Sequence, residues 1–162
     1  MINSMSKSQI LKSDFSGEFV CETEEETFAL GERFGESLQG GEVVLLEGNL
    51  GAGKTLFVKG VLSALDFDVD EVTSPSFTLA NLYEVEFKVW HIDLYRLSEG
   101  ASAWYAVDLD EILQDETAVV LIEWAERLGD FPLPENTIQI SIRGDGDETS
   151  QICIQTKRGD SK

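Results

Sequence analysis

Eight residues constrain this chain more than anything else in it: Gly48-Asn-Leu-Gly-Ala-Gly53-Lys54-Thr55. They fit G-x-x-x-x-G-K-[ST] in full, a pattern that average residue usage would place by chance in about one chain in 200 of this length. Before them stands Val43-Val-Leu-Leu46, apolar at every position. Such a run predicts a strand buried on both faces, and hence a sheet covered by helices. After them, Thr55 to Leu65 predicts a helix. Strand, glycine turn and helix are the context a phosphate-binding loop needs. The glycines let successive N–H groups point into one concavity, and the helix adds its positive end. On this reading Gly48, Asn49, Leu50, Gly51, Ala52, Gly53 and Leu56 frame the phosphates of a nucleotide. Lys54 bridges the β- and γ-phosphates, and the Thr55 hydroxyl ligates Mg²⁺. The plainer alternative is a glycine-rich turn with a surface lysine.

The other half of such a site is an acid at the end of a neighbouring buried strand. Val119-Val-Leu-Ile122 followed by Glu123 supplies it, and Trp124 comes next. Glu123 is placed to hold Mg²⁺ opposite Thr55, directly or through water; alternatively it caps the turn after its strand. Between the two lies Trp90-His91-Ile92-Asp93-Leu94-Tyr95-Arg96-Leu97. Strand alternation puts His91 and Asp93 on one face, with Asp93 at the strand end where an open α/β sheet places ligands. Asp93 would order the attacking water or the outer shell of Mg²⁺, or else pair with Arg96. His91 reads as a hydrogen-bonded neutral side chain more readily than as a base. Thr73-Ser74-Pro75-Ser76-Phe77 occupies the chain position of a nucleotide-sensing switch, or of an ordinary loop.

Around this centre the pattern predicts one α/β domain over residues 17–156, between flexible segments 1–16 and 157–162. A short strand at Glu18–Cys21 leads to a helix from Thr23 to about Gln39, with Thr23 and Glu26 at capping-box spacing and Gly40-Gly41 beyond its end. Strands are expected at 77–85 and 88–92, a helix at 102–113, and an antiparallel pair at 137–142 and 151–155 around Gly144-Asp-Gly146. The fold class is therefore a single P-loop NTPase-like domain. Its sheet is mixed but mainly parallel, flanked by helices, and ends in an antiparallel hairpin.

Charge and rare residues prune the functions. With 12 Lys and Arg against 31 Asp and Glu, the formal net charge is −19. That field repels phosphate backbones and anionic membranes, so no direct nucleic-acid contact and no membrane contact are expected. A basic protein face, or a small anion in a local pocket, suits it better. A single histidine excludes a multi-histidine metal site. Cys21 and Cys153 form no CxxC, and MINSMSKSQI lacks a signal peptide's apolar core, which predicts the reducing cytoplasm.

Taken together, L-x-G-N-L-G-A-G-K-T, T-S-P-S-F-T-L, H-I-D-L-Y-R-L and I-E-W-A-E-R-L resemble the TsaE (YjeE) family from about Phe19 to Ile142. The resemblance implies a small bacterial ATPase required for threonylcarbamoyl modification of adenosine in tRNA. Such proteins hydrolyse ATP while docked on the threonylcarbamoyl transferase and its inactive homologue. It further implies Lys54 and Thr55 at phosphate and Mg²⁺, Glu123 as the metal-side glutamate and Asp93 as an essential aspartate. Ser74 falls in the switch-like loop, Trp124 beside the site, and Glu24 and Thr27 near the adenine. Two positions depart: Ala125 stands where relatives often carry proline, and 147–151 offers no arginine of the kind relatives tend to have in the last hairpin. Two other functions share the motifs. A small-molecule kinase would need a lid with clustered arginines, which the five arginines here do not form. A nucleotide-binding switch would bind ATP or ADP and scarcely hydrolyse.

Overall fold

The computed structural model describes residues 15–73, 75, 78–97, 101–135, 137–144 and 149–156, with only the backbone of 101 and 102. Among the described residues seven strands form one sheet in the order β1-β7-β6-β2-β5-β4-β3. They are β1 (Gly17–Cys21), β2 (Val43–Glu47), β3 (Ala80–Glu84), β4 (Lys88–Asp93), β5 (Val119–Glu123), β6 (Ile138–Arg143) and β7 (Ser150–Thr156). Its centre, β6-β2-β5-β4, is parallel, and the pairs β3–β4, β6–β7 and β1–β7 are antiparallel. The register sets Leu46 and Asp93 on either side of Glu123. Three parallel strands thus end together, and their ends carry the site.

Alternation along the strands divides two cores. Val44, Leu46, Val119, Leu121, Ile140 and Ile142 face helices α1 (Glu24–Ser37) and α2 (Lys54–Ala64), whose Phe34, Phe57, Val61 and Leu62 are buried against them. Val43, Leu45, Ile92, Val120 and Ile122 face the other way, onto Leu109, Ile112, Leu128 and Phe131. α1 and α2 cross at Gly31 and Gly60. A Cβ on Gly31 would strike the Phe57 carbonyl oxygen, and one on Gly60 the Phe28 carbonyl oxygen. Two glycines let the backbones meet where any side chain would wedge them apart.

α1 begins as its sequence predicts, with one change of partner. Thr23 Oγ1 accepts from Glu26 N–H at 3.2 Å, but the Glu26 carboxylate accepts from Glu22 N–H at 2.6 Å, one residue before the cap. The three glutamates of the first turn stand at the positive end of the helix.

Elsewhere the structure corrects the expected bounds. β3 runs from Ala80 to Glu84; the expected start at 77 lies outside the described residues, and Leu79, at φ 68° with its N–H bonded to Pro75 O at 2.7 Å, is not yet in the strand. The single helix expected over 102–113 is two: α3 (Ala101–Ala106) and α4 (Leu109–Ile112). Asp108 breaks it at φ 52°, a left-handed conformation that aspartate tolerates, and Val107 and Leu109 are both buried on either side. α1 stops at Ser37, where Leu38 turns extended before the two glycines. Within the segment expected to be loose, Phe15 rests edge-on against Phe34 with ring centres 6.1 Å apart. Residues 1–14 and 157–162, and the turn Gly144-Asp-Gly146 beyond its first residue, lie outside the described residues. Among the described residues no helix is long and apolar enough to cross a membrane.

Candidate functional site

β2 leads into the glycine-rich loop, and α2 opens directly after it. Gly53 is the hinge between them: at φ 107° it occupies a conformation that L side chains rarely adopt, although a Cβ there would have room. The turn aims Lys54 and Thr55 back over the parallel strand ends. Lys54 is 6% exposed. Its ammonium donates to the Gly48 and Asn49 carbonyls, the latter at 2.9 Å, and lies 4.3 Å from the centre of the Trp124 ring. Burial pushes the Lys54 pKa below 10.5, and Glu123, Glu126 and Asp93 pull the other way. A buried ammonium held by two carbonyls and an aromatic face is a cation arranged for exchange. Entering phosphate oxygens would replace weak neutral acceptors with charged ones.

Thr55 Oγ1 donates to Glu123 Oε1 at 2.9 Å, joining the first turn of α2 to the end of β5. The other carboxylate oxygen, Oε2, lies 3.2 Å from His91 Nε2 on β4. Trp124 leaves the strand at φ 57°, which turns its ring across the cleft mouth toward Lys54 and Tyr95, with ring centres of Tyr95 and Trp124 4.8 Å apart. Asp93 closes β4. Its Oδ1 accepts from Tyr95 N–H at 2.9 Å, so the aspartate also shapes the turn that follows it.

These groups share one cleft of about 580 Å³, a volume in the range of small-ligand sites. Of the residues singled out from sequence, it is lined by Glu24, Thr27, Leu50, Gly51, Ala52, Gly53, Lys54, Thr55, Leu56, Asp93 and Trp124. Glu123 is 2% exposed and reaches the site through Thr55 rather than by lining it. Gly48 and Asn49 enter through the carbonyls that hold Lys54. Ser74 lies outside the described residues. Thr27 belongs here because α1 packs on the loop: its Cγ2 would stand 3.7 Å from a Cβ on Gly53.

Glu22, Thr23, Tyr95, Arg96 and Ser150 also line the cleft, and sequence reasoning did not place them there. For Arg96 the signal was present, three residues beyond Asp93 on a chain leaving the strand end. For Ser150 there was none, because its position follows from the pairing of β7 with β1 and β6.

The donor set suits Mg²⁺ on its chemistry. One carboxylate and one hydroxyl meet at the helix start, where a nucleotide's phosphates would supply further oxygens and water the rest. Among the described residues no three His, Cys, Asp or Glu side chains gather to hold a metal unaided.

A family model described as threonylcarbamoyl adenosine biosynthesis protein TsaE matches residues 21–152. The chain belongs to the TsaE family. It is 37% identical over 135 residues to the tRNA threonylcarbamoyladenosine biosynthesis protein TsaE of Treponema pallidum, covering 83% of this chain and 97% of that one. The TsaE protein of Aquifex aeolicus is 41% identical, with 68% of this chain and 77% of the relative covered. That of Mycobacterium leprae is 40% identical over 71% and 75%. Among solved structures, Bacillus subtilis YdiB superposes with a TM-score of 0.68 at 32% identity, covering 88% of this chain and 86% of the other. Family membership assigns the chain a role in tRNA threonylcarbamoyladenosine biosynthesis. The family match extends past Ile142 to residue 152, and so takes in the start of β7, which lines the cleft through Ser150.

Proposed function

We propose that this TsaE-family chain is a Mg²⁺-dependent ATPase that serves threonylcarbamoyl modification of tRNA by hydrolysing ATP while docked on the threonylcarbamoyl transferase and its inactive homologue. The observation that carries the reading is the contact between Thr55 and Glu123, 2.9 Å apart, beside a buried Lys54 at the mouth of the glycine-rich loop. It gathers a phosphate-binding cation, a hydroxyl and a carboxylate at the start of one helix, as hydrolysis of a nucleoside triphosphate requires.

In the ATP-bound protein the loop N–H groups and the start of α2 hold the phosphates. Lys54 leaves the Gly48 and Asn49 carbonyls for the β- and γ-phosphate oxygens, where its charge counters that of the transferring group. Thr55 and Glu123 would hold Mg²⁺, whose positive charge would offset the negative charge that develops on the transferring group. Asp93, buried at the strand end, orients the water that attacks in line or the water shell around the ion. Trp124 covers Lys54 and limits bulk water on that side. Glu24 and Thr27, which line the cleft from the start of α1, would face the adenine. The protein partner is favoured over RNA by the net charge of −19, which a basic protein face complements.

ADP and ATP binding measured calorimetrically for the native protein and for Lys54→Ala tests the reading. Binding by the native protein and none by the variant is expected; equal binding by both would refute it.

A further inference from the structure

His91 has no part in the mechanism above, yet it is the most enclosed polar side chain near it. It is 0% exposed and touches Glu123. The bond runs from His91 Nε2 to Glu123 Oε2 at 3.2 Å, while Oε1 of the same carboxylate receives the Thr55 hydroxyl. We take Nε2 as the donor and the carboxylate oxygen as the acceptor in this contact. Its position follows from register: β4 and β5 run parallel, His91 stands beside Leu121 and Asp93 beside Glu123. His91 therefore reaches forward along its strand to the carboxylate. The ring's other nitrogen, Nδ1, is buried with no hydrogen-bond partner among the described residues. A polar atom left so costs the fold free energy, and an apolar side chain at this core position would avoid it.

We propose that His91 is a positioning residue for the Mg²⁺ site: it pins Glu123 Oε2 so that Oε1 stays turned toward Thr55 and the phosphates. This rests on the function proposed above. Of the two carboxylate oxygens, one is committed to the sheet and one to the ion. A glutamate with three rotatable side-chain bonds is thereby reduced to a single presentation before ligand arrives. Partners of this kind, which hold a metal-binding group from behind, typically alter metal affinity by 10- to 100-fold when removed.

The test compares ADP affinity in Mg²⁺ and in EDTA for the native protein, His91→Leu and His91→Gln. The native protein binds ADP more tightly with Mg²⁺. His91→Leu loses about tenfold or more of that advantage while its affinity in EDTA stays within about twofold, and His91→Gln, which keeps an N–H donor, retains most of it. A His91→Leu protein that keeps the whole Mg²⁺ advantage, or loses affinity equally in both media, overturns the proposal and leaves the ATPase reading intact. A native protein that binds no nucleotide in either medium overturns both.

Should the leucine variant fail to fold, the native protein still decides, because it contains one histidine and its imidazole signals need no assignment. ¹⁵N spectra should show Nε2 protonated and shifting on addition of Mg²⁺ to the ADP complex. An unprotonated Nε2, or a signal indifferent to Mg²⁺, overturns the proposal.

Discussion

Replacing Gly60 with alanine sets two effects of opposite sign against each other, and the geometry decides between them. Alanine in a helix interior is favoured over glycine by about 1 kcal/mol. Against this, a Cβ at Gly60 would strike the Phe28 carbonyl oxygen and stand 3.0 Å from Glu32 N and 3.1 Å from Gly31 Cα. All three obstacles are backbone atoms, so no rotamer change relieves them. Restoring ordinary contact distances of about 3.5–4 Å to the Phe28 oxygen requires α1 and α2 to part by roughly 1.5 Å. Phe34 of α1 and Phe57 of α2, with ring centres 5.7 Å apart, together with Val61 and Leu62, each 1% exposed or less, form the core these helices share with the sheet and would lose contacts as the helices part. Overpacking costs about 1–3 kcal/mol, and with all three obstacles in the backbone the cost here falls in the upper half of that range, about 2–3 kcal/mol; less the helix gain of about 1 kcal/mol, a net loss of about 1–2 kcal/mol remains. For a domain of this size, that lowers Tm by roughly 2–8 °C. Urea titration should show a lower midpoint at unchanged slope. Because α2 opens with Lys54 and α1 sets Thr27 against Gly53, ADP affinity should fall as well. A Gly60→Ala protein as stable as the native one, or more so, would refute this account of the crossing.

Three further outcomes follow from the site. Glu123→Ala should retain part of the nucleotide binding but lose Mg²⁺-dependent hydrolysis; hydrolysis at the native rate would remove Glu123 from the metal site. Burial holds the Lys54 pKa below its unfolded value of 10.5, so between the two values the unfolded chain binds more protons and stability rises with pH. The cost of burying that charge is present below the folded pKa and relieved above it. Native stability measured against Lys54→Met should gain as pH is raised toward 10.5, and a difference that stays flat would contradict the assigned burial. Raising ionic strength should slow association with the transferase pair if the charge of −19 steers docking, and an association rate insensitive to salt would remove that role.

The loop and its acid were legible because their chemistry is local. A wholly apolar strand, a glycine turn and Lys-Thr at a helix start sit within 13 consecutive residues, 43–55, and four apolar residues before Glu123 announce a second buried strand. Alternation likewise put His91 and Asp93 on one face. It could not supply the bond from His91 to Glu123, which depends on β4 lying beside β5 in one register out of several. The pairing of β1 with β7, which brings Ser150 to the cleft, joins the two ends of the domain and leaves no local trace. The break at Asp108 was hidden for another reason: apolar residues at helical spacing look alike whether one helix carries them or two. In the same way Thr23 and Glu26 announced a helix start, while the choice of Glu22 N–H as the carboxylate's partner came from the approach of the chain out of β1.

Turnover of Mg²⁺-ATP by the purified protein, alone and with the threonylcarbamoyl transferase pair from the same cell, tests most directly whether this TsaE-family chain is a partner-coupled ATPase. Slow hydrolysis alone, faster hydrolysis with the pair, and none from Lys54→Ala in either case is the predicted result. Turnover that ignores the pair, with the γ-phosphate passing to a small acceptor instead of water, would contradict it and mark the site as that of a kinase.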